Sequence, residues 1–430
     1  MNESASLRQR IPLAESRGKG PLAGVRVIDA GTMVSAPFAA VLLADFGADV
    51  IKVEQPGVGD GVRKLAPFKF DADHPEKVIP LWWKNSARNK RCVTLNFRVP
   101  EARDLFKRLV ATADVVIENF RPGTFEEWGL SFEELQAVNP RLIMLRISGY
   151  GQTGPLRRRA GFGRVAEAVG GLTNLIGEPE PGPPMTPGIP LGDLVTGLMG
   201  AWATMMALYH RDARGGEGQV IDLGLYESIF RLLEFDPIQY DQAADDRERN
   251  ATRIHTREGN QLSYVAPSNM FKTKDGYWIT LAASNQNIFR TLARAIDRED
   301  LLTDPKFADN PARVKHRGEI NGIIGDWIAE RTLDEVAAVF DPPELPYAPI
   351  LNMQDIFQHP QYLAREMLVR VLDKDLGDAI VQNAIPKFSK TPGAVRHLGP
   401  DLGEHNEEVY GGELGLGAED LARLKESGVI

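Results

Sequence analysis

Few residues of this chain are candidates for chemistry, because the familiar catalytic signatures are missing. The phosphate loop, the zinc motif HExxH and the hydrolase motif GxSxG do not occur, and the one GxGxxG match, residues 149–154 (GYGQTG), does not open a predicted helix. The histidines are scattered, with none at metal-ligand spacing, at positions 74, 210, 255, 316, 359, 397 and 405. We therefore expect no metal site. One acid, one loop and one group of basic residues remain as candidates.

The acid is Asp193, which directly precedes an apolar helix in the segment PLGDLVTGLMGAWATMMALY. A structural interpretation makes Asp193 the N-cap of that helix. A functional interpretation is compatible with it: the small residues Gly192, Gly197 and Gly200 would allow tight packing and hold an ionised carboxylate at a cleft. Such a carboxylate can attack an activated acyl group.

The loop comprises residues 31–37 (GTMVSAP), which join the first predicted strand to its helix. In a doubly wound fold this turn lies at the carboxyl end of the sheet, where ligands bind. The N-terminus of the following helix offers N–H groups to an anion. The same residues also suit a plain connector.

Basic residues cluster after several of the predicted strands. A phosphorylated ligand needs Arg and Lys at that edge of a sheet, although charge runs are more often solvated faces. The basic residues are Lys84, Arg88, Lys90, Arg91, Arg98, Arg121, Arg157, Arg158 and Arg159.

The elements that must position these residues alternate between strands and helices. Such alternation predicts an α/β fold with a parallel sheet. The strands are predicted at 25–30, 50–53, 93–95, 115–117, 142–147 and 220–223, with a further strand at 276–282. The helices are predicted at 37–46 with Ser35 as N-cap, at 101–110 and at 132–138, and a Pro/Gly-rich loop is predicted at 177–192.

Composition limits the class of protein. The chain has 430 residues, 43% hydrophobic and 25% charged, which is typical of a globular protein of roughly two domains. A net charge of −9 argues against nucleic acid or an anionic membrane as partner. The longest uncharged apolar run, residues 194–209, is shorter than the roughly 20 residues that span a bilayer. A single cysteine, Cys92, fits a reducing compartment.

We therefore expect a cytoplasmic protein, or a mitochondrial one if the N-terminal arm is a degenerate transit peptide. The predicted domains are a flexible arm at 1–20, the first part of a large domain at 21–225, a linker at 226–260 that contains the charged run 241–258, a small domain at 261–340, and a second linker that returns to the large domain at 341–430.

Several segments together resemble the class III coenzyme A transferases, the CaiB/BaiF family. They include PLAGVRVIDAGTMVSAPF, VIKVEQPGVGD, DVVIENFRPGT, NPRLIMLRISGYGQTGP, PLGDLVTGL and PYAPILNM. The resemblance covers residues 21–409 in family order and spacing. It implies a Rossmann-like large domain with a parallel sheet, a smaller central α+β domain, and a homodimer of two interlinked rings.

The resemblance also implies a mechanism and its partners. Asp193 would be the nucleophile that attacks an acyl-CoA and then carries CoA as an aspartyl thioester. The partners would be an acyl-CoA and a small carboxylic acid, with CoA as a substrate and no tightly bound cofactor. The segments GYGQTGP and PYAPI are most similar to members that use succinyl-CoA with dicarboxylic acceptors.

Contacts to CoA in similar enzymes run mainly through backbone amides. The implied contact residues are Val34, Ser35, Leu95, Asn96, Arg98, Asn119, Phe120, Arg121, Gly161, Phe162 and Gly163. Departures from the family pattern fall on Val34, Gln55 and Glu127, and residues 259–264 (GNQLSY) lack the glycine-rich loop of the formate and oxalate enzymes. We therefore expect neither formate nor oxalate as a substrate. At least one of four arginines, Arg157, Arg158, Arg159 and Arg164, is a candidate selector for dicarboxylates.

Two other functions remain open. A racemase of the same family moves an α-proton with a His–Asp pair. The position that matches the His is Phe162 here, and a phenyl ring cannot transfer a proton. A non-catalytic acyl-CoA-binding protein would keep the fold, yet Asp193 stands in an intact GDLVTG segment.

Overall fold

The computed structural model describes residues 10–13, 20–70, 76–243 and 256–430. The chain forms two compact units. The larger unit comprises Met1–Leu172, Pro187–Leu233 and Phe357–Ile430, and the smaller unit comprises Thr173–Thr186 and Glu234–Ile356. The smaller unit thus extends beyond the predicted range 261–340 in both directions and includes a separate stretch that the sequence analysis treated as a loop.

A parallel sheet forms the centre of the larger unit, as predicted. Its strands in sequence order are β1 (Arg26–Asp29), β2 (Asp49–Glu54), β5 (Lys90–Thr94), β6 (Val115–Glu118), β7 (Ile143–Ser148) and β8 (Val220–Gly224). Strands β3 (Phe68–Phe70) and β4 (Val78–Pro80) form a separate antiparallel hairpin. Strands β1, β2, β6 and β7 are almost wholly buried and rich in Val and Ile, which is typical of a sheet covered on both faces.

The strand order of this sheet is β5-β2-β1-β6-β7-β8. From β1 the chain builds outward through β2 and β5, and it then returns to place β6 on the other side of β1. The order therefore reverses between β1 and β6. In open parallel sheets, ligands bind in the crevice at the carboxyl ends of the strands beside such a reversal.

Helices surround the sheet and fill the smaller unit. Local signals explain some of their ends: the helix at 100–110 has Pro at its first position, and Ser131 and Glu134 form a capping box on the helix at 132–138. The helices are α1 (Ser35–Asp45), α2 (Leu81–Ser86), α3 (Pro100–Val110), α4 (Thr124–Glu127), α5 (Phe132–Val138), α6 (Gly163–Val169), α7 (Leu172–Leu175), α8 (Leu191–Ala213), α9 (Leu225–Leu232), α10 (Asp236–Ala243), α11 (Gln286–Ala295), α12 (Asn310–Lys315), α13 (Arg317–Ala329), α14 (Leu333–Phe340), α15 (Met353–Gln358), α16 (Pro360–Ala364) and α17 (Ala418–Glu426). Short 3₁₀ segments lie at Gly61–Lys64, Glu299–Leu302 and Pro305–Phe307, and a π-helix lies at Glu407–Glu413.

The smaller unit has its own sheet and core. Strands β9 (Ser268–Lys272), β10 (Trp278–Ala282) and β11 (Tyr347–Pro349) pair antiparallel in the order β11-β10-β9. The core between this sheet and the helices includes Phe271, Ile279, Phe289, Ile324 and Phe340.

The C-terminal part of the chain covers the edge strand β5 and adds a hairpin of β12 (Leu368–Asp373) and β13 (Gly377–Gln382). The Tyr410 hydroxyl donates to the carbonyl of Thr94 at 2.9 Å. The Thr94 N–H donates to the Asn406 side chain at 2.8 Å. These bonds satisfy backbone groups that an open edge would expose.

Most of the predicted N-terminal arm, residues 1–9 and 14–19, lies outside the described residues, as do residues 71–75 and most of the charged run at 244–255. The described piece of the arm is not loose. Ile11 is fully buried, and its carbonyl accepts a hydrogen bond from the Arg370 side chain at 2.7 Å. The prediction of a flexible arm is therefore wrong for Ile11 and its neighbours.

Helix α8 is long and apolar enough to cross a membrane by length and composition alone. One of its faces is buried and includes Thr196, Gly197, Gly200 and Thr204. The Thr196 and Thr204 hydroxyls donate to backbone carbonyls of the previous turn at 2.7 and 2.8 Å. This face packs against α1 and the sheet, as expected for the core helix of a folded domain.

Candidate active site

Asp193 is the third residue of α8, not its N-cap as predicted. The helix begins at Leu191, Pro190 occupies the cap position, and no side chain caps the helix. The loop predicted at 177–192 therefore ends at Pro190, two residues before its predicted end. The first N–H groups of a helix have no partner within it, so this position favours a negative charge.

Two glycines bring the start of α6 against Asp193. The Gly163 N–H donates to the Asp193 carboxylate, and a Cβ atom on Gly163 would lie 2.2 Å from Oδ2 of Asp193. A Cβ atom on Gly192 would lie 2.5 Å from the carbonyl oxygen of Gly163. A larger residue at either position would therefore displace the carboxylate or separate the two helices.

Glu167, on the next turn of α6, is fully buried and was missed by the sequence analysis. Its Oε1 accepts the Gly192 N–H at 3.0 Å, and its Oε2 is buried with no hydrogen-bond partner among the described residues. Burial, followed by the Glu167 charge, raises the pKa of Asp193 to about 6. Such a carboxylate is more basic than an ordinary aspartate and still mostly ionised at pH 7, which suits a nucleophile.

The loop between β1 and α1 is held by the loop after β6. The Asn119 side chain accepts the Thr32 N–H at 2.7 Å and donates to the Thr32 carbonyl at 2.8 Å. Ser35 is the first residue of α1 and caps nothing, so its predicted role as N-cap is wrong. A Cβ atom on Gly197 would lie 2.8 Å from the Ser35 carbonyl, which places this loop one helical turn from Asp193.

A buried ion cluster of Asp29, Lys52, Asp60 and Lys90 lies beneath this loop. The Lys90 ammonium is 2.9 Å from Asp29, and the Lys52 ammonium is 3.1 Å from Asp60 and 3.7 Å from Asp29. All four residues are at most 3% exposed, so none of the charges is screened by water. The sequence analysis missed Lys52 and Asp60, because nothing in the chain indicates that they meet.

A solvent-open cleft of about 650 Å³ lies at the carboxyl ends of β1, β2, β5 and β6. Four of the implied CoA contacts line it: Leu95, Asn96, Arg98 and Phe120. The remaining lining residues are Ala30, Thr32, Val53, Glu54, Gln55, Gly59, Asp60, Phe97 and Trp128.

The other implied contacts fall in two places. Val34, Asn119 and Arg121 lie in the loops beside this cleft, and Ser35 begins α1 there. Gly161, Phe162 and Gly163 lie at the start of α6 beside Asp193.

Aromatic rings form one wall of the cleft, a feature that the sequence analysis did not find. Phe97 stacks on Trp128 with ring centroids 5.4 Å apart, and Phe120 meets Trp128 edge to face at 5.1 Å. Flat apolar surfaces of this kind suit a planar ring such as a nucleobase.

Backbone amides around the cleft are largely occupied inside the protein. The Leu95 N–H donates to the Glu54 carbonyl, the Asn96 N–H donates to the Val429 carbonyl, and the Phe120 N–H donates to Glu118. Buried amides need partners, and the neighbouring turns supply them. These three amides therefore already have partners within the chain, and carbonyls and side chains at these positions are left for a ligand.

Four of the nine residues in the predicted basic cluster are structural. Lys84 pairs with Asp373 and Asp375, Arg88 with Asp45, Lys90 with Asp29, and Arg91 with Asp49, Glu408 and Glu413. These four were therefore wrongly expected at a phosphate site. Arg98 and Arg121 are exposed, and neither pairs with a carboxylate of the described residues.

The four candidate selectors differ in position. Arg157 and Arg158 line a second, open cleft of about 800 Å³ together with Glu126, Glu127 and Arg146. Arg164 follows Gly163 directly on α6, is exposed, and pairs with no carboxylate in the part of the chain that the structure describes. Arg164 is thus adjacent in sequence to the residue that touches Asp193.

Known proteins resemble this chain over nearly its whole length. It is 42% identical over 418 residues to a succinyl-CoA–D-citramalate CoA-transferase of Chloroflexus aurantiacus, covering 97% of this chain and 100% of the relative. It is 32% identical to a human succinyl-CoA:glutarate CoA-transferase, covering 97% and 92%. The crystal structure of a CaiB/BaiF family protein from Brucella suis has a TM-score of 0.78 at 32% identity, covering 92% and 100%.

The pattern of CoA-transferase family III matches residues 22–406. The chain therefore belongs to this family, also called CaiB/BaiF, and it is a CoA-transferase. The family and the α/β fold expected from the sequence are both confirmed.

Proposed function

We propose that this enzyme moves CoA from a succinyl-CoA-like donor to a dicarboxylic acid through an aspartyl-CoA thioester on Asp193. The observation that carries the proposal is the Asp193 carboxylate, partly exposed and held at the start of α8 with a pKa of about 6. The succinyl-CoA-dependent relatives support the choice of donor and of a dicarboxylic acceptor.

The reaction begins at the donor thioester. An Asp193 oxygen attacks the thioester carbonyl, the C–S bond breaks, and CoA leaves as a thiolate with a mixed anhydride on Asp193. The thiolate then attacks the aspartyl carbonyl of the anhydride and releases the donor acid as a carboxylate. Asp193 now carries CoA as a thioester, so the energy of the original thioester bond is retained.

The second half reverses these steps with the acceptor. The acceptor carboxylate attacks the aspartyl thioester and forms a new anhydride and CoA thiolate. The thiolate then attacks the acceptor carbonyl, which frees Asp193 as a carboxylate. No proton, electron or phosphate is consumed overall. The Gly163 N–H keeps the carboxylate in position between turnovers.

The test is a trapping experiment. Incubation with succinyl-CoA alone should load CoA onto the peptide that contains Asp193, as a hydroxylamine-sensitive adduct that borohydride reduces to an alcohol. Rapid quenching and mass spectrometry measure it. An unmodified peptide under turnover conditions would show that transfer occurs directly between the two substrates.

Arg164 is the favoured selector for the second carboxylate of the substrate. A guanidinium binds a free carboxylate through two parallel hydrogen bonds, and loss of such a contact costs about 1.5–3 kcal/mol. The kcat/KM ratio for succinate over butyrate should therefore fall roughly ten- to a hundredfold in Arg164→Ala. Arg157→Ala, Arg158→Ala and Arg159→Ala are the comparison set. If all four variants lost activity equally for succinate and butyrate, none of these arginines would select dicarboxylates.

Racemisation is not favoured, because Phe162 has no proton to exchange and is 68% exposed.

Assembly as a homodimer is supported by the outer face of α8, where Leu198, Trp202, Met206 and Tyr209 are about half exposed or more. Light scattering coupled to size exclusion measures the mass, and a particle of one chain would remove the dimer from the proposal.

A further inference from the structure

The cleft described above has an electrostatic difficulty. Glu54 and Asp60 both line it, yet under the proposed function it receives CoA, whose phosphates are strongly negative. Both residues are at most 4% exposed, and without compensation their carboxylates would repel the ligand, because buried charges are weakly screened. The wall must therefore be neutralised from within the protein.

Buried and half-buried cations supply this neutralisation one for one. Arg63 forms a two-pronged pair with Glu54 at 2.7 and 2.8 Å, and it also lies 3.6 Å over the ring of Trp83. Lys52 pairs with Asp60 at 3.1 Å. With Lys90 on Asp29, three carboxylates face three cations, and the net charge of the group is zero.

Lys90 reaches the far end of the loop at the reversal of the sheet, where it donates to the Pro37 carbonyl at 2.7 Å, and Lys52 contacts the start of that loop. Its ammonium donates to the carbonyl of Gly31. Burial opposes its charge, but Asp29 and Asp60 outweigh burial and raise the pKa of Lys52. The lysine is therefore a permanent cation directly beneath the loop.

Asp60, the partner of Lys52, holds the next part of the same loop. Its Oδ1 accepts the Met33 N–H at 3.1 Å and the Val62 N–H at 3.0 Å. Met33 has a φ of 65°, a left-handed conformation that costs a non-glycine residue energy and persists only where several contacts enforce it. Lys52, Asp60 and Asn119 together supply those contacts.

We propose that Lys52 is a positioning residue for acyl-CoA: with Asp60 it fixes residues 31–33 and cancels the negative charge of the cleft wall. This inference rests on the proposed function for its ligand, but the fixing of the loop does not. Two consequences are separable. Loss of Lys52 should loosen the loop in the free enzyme, and it should leave one uncompensated carboxylate that weakens CoA binding.

The experiment compares Lys52→Met with Lys84→Met. Lys84 is the matched control because it is also buried, pairs with Asp373 at 2.9 Å and Asp375 at 2.7 Å, and does not line the cleft. Amide exchange of the peptide spanning residues 31–35 is measured without ligand, and the Kd of CoA is measured by calorimetry. In Lys52→Met we expect faster exchange and a Kd raised about 10- to 100-fold. Lys84→Met should lower Tm and leave both quantities unchanged.

A second variant separates charge from position and serves if Lys52→Met does not fold. The double variant Lys52→Met with Asp60→Asn removes both charges and keeps an oxygen for the Met33 N–H. It should recover part of the CoA affinity while exchange of the loop stays fast, because Gly31 still lacks its donor. If Lys52→Met lowered Tm as Lys84→Met does but left amide exchange and the Kd of CoA unchanged, Lys52 would only stabilise the fold.

Faster exchange with an unchanged Kd would likewise overturn the role in binding. Wild-type enzyme that binds no CoA would instead contradict the proposed function, and the exchange data would still decide whether Lys52 fixes the loop.

Discussion

Asp60 and Asp193 are carboxylates of the same unit with opposite surroundings. Burial acts to raise the pKa of Asp60, but Lys52 and two backbone N–H groups outweigh burial and hold that pKa below its usual value. Asp193 has a single N–H donor, from Gly163, and its charged neighbour Glu167 is itself acidic, so its pKa is raised to about 6.

This difference separates a structural carboxylate from a reactive one. The carboxylate oxygens of Asp60 are engaged in an ion pair and in hydrogen bonds within the protein. Asp60 is therefore a poor nucleophile and suits a structural role. The few contacts of Asp193 leave it basic and available, at a cost in stability. The following predictions test this contrast, from the largest expected effect to the smallest.

Asp193→Asn should lower kcat/KM by at least about 10³-fold, because it removes the nucleophile and keeps the shape of the side chain. The fold should survive, since Asp193 caps nothing and has one hydrogen bond. Steady-state kinetics with succinyl-CoA and a dicarboxylic acid measure the loss, with circular dichroism as the control. A folded variant with near wild-type turnover would remove Asp193 from the mechanism.

Asp60→Asn should act mainly on stability. Lys52 would lose its nearest counter-charge, and removing one partner of a buried ion pair costs about 3–5 kcal/mol. Urea denaturation followed by fluorescence gives the free energy of unfolding. A variant as stable as the wild type would mean that Asp29 alone suffices for Lys52.

Gly163→Ala should reduce kcat roughly 10- to 100-fold, because the new Cβ atom would lie 2.2 Å from Oδ2 of Asp193 and must displace the carboxylate. The matched control is Gly322→Ala, where an added Cβ atom meets nothing within 4 Å. Steady-state kinetics give the kcat of both variants. Equal rates in the two would mean that the carboxylate has room to move without loss.

Glu167→Gln should shift the acid limb of the kcat/KM profile to lower pH, because it removes the negative charge that raises the pKa of Asp193. The wild-type limb is expected near pH 6. The amide keeps an oxygen for the Gly192 N–H, so the geometry is preserved. Glu227→Gln is the control, since Glu227 also accepts a backbone N–H, from Gly224 at 2.7 Å. A limb that stays in place in Glu167→Gln would assign the raised pKa to burial alone.

Stability should also depend on pH through Asp193. Its pKa rises from 3.8 in the unfolded chain to about 6 when folded, so the folded state binds the proton more tightly. The contribution to stability is present below about pH 4 and is lost as the pH rises to about 6. The Tm of Asp193→Asn minus that of the wild type should therefore increase over this interval and stay constant above it. A difference independent of pH would mean that Asp193 titrates normally.

Much of the fold could be predicted from local patterns. Strands β1, β2, β6 and β7 are short β-branched runs between helical segments, and a parallel sheet is nearly the only way to bury them. The ends of helices were less predictable. Ser35 and Asp193 are good N-cap residues, yet both lie inside their helices, because the preceding residues Val34 and Pro190 take the cap position without a side-chain bond.

The sequence by itself determined the parallel sheet, the loop at residues 31–37 and the place of Asp193 at the start of an apolar helix, because each follows from residues near one another in the chain. Only the tertiary structure decided which charges meet. Lys90 and Arg91 adjoin in sequence, yet alternation along β5 sends Lys90 into the core with Asp29 and Arg91 outward to Asp49. Glu167 reaches Gly192 from 25 residues away. Whether a charged side chain is structural, contacts a ligand or acts as a nucleophile depends on its neighbours in the folded protein. The order of the strands decides which residues those neighbours are.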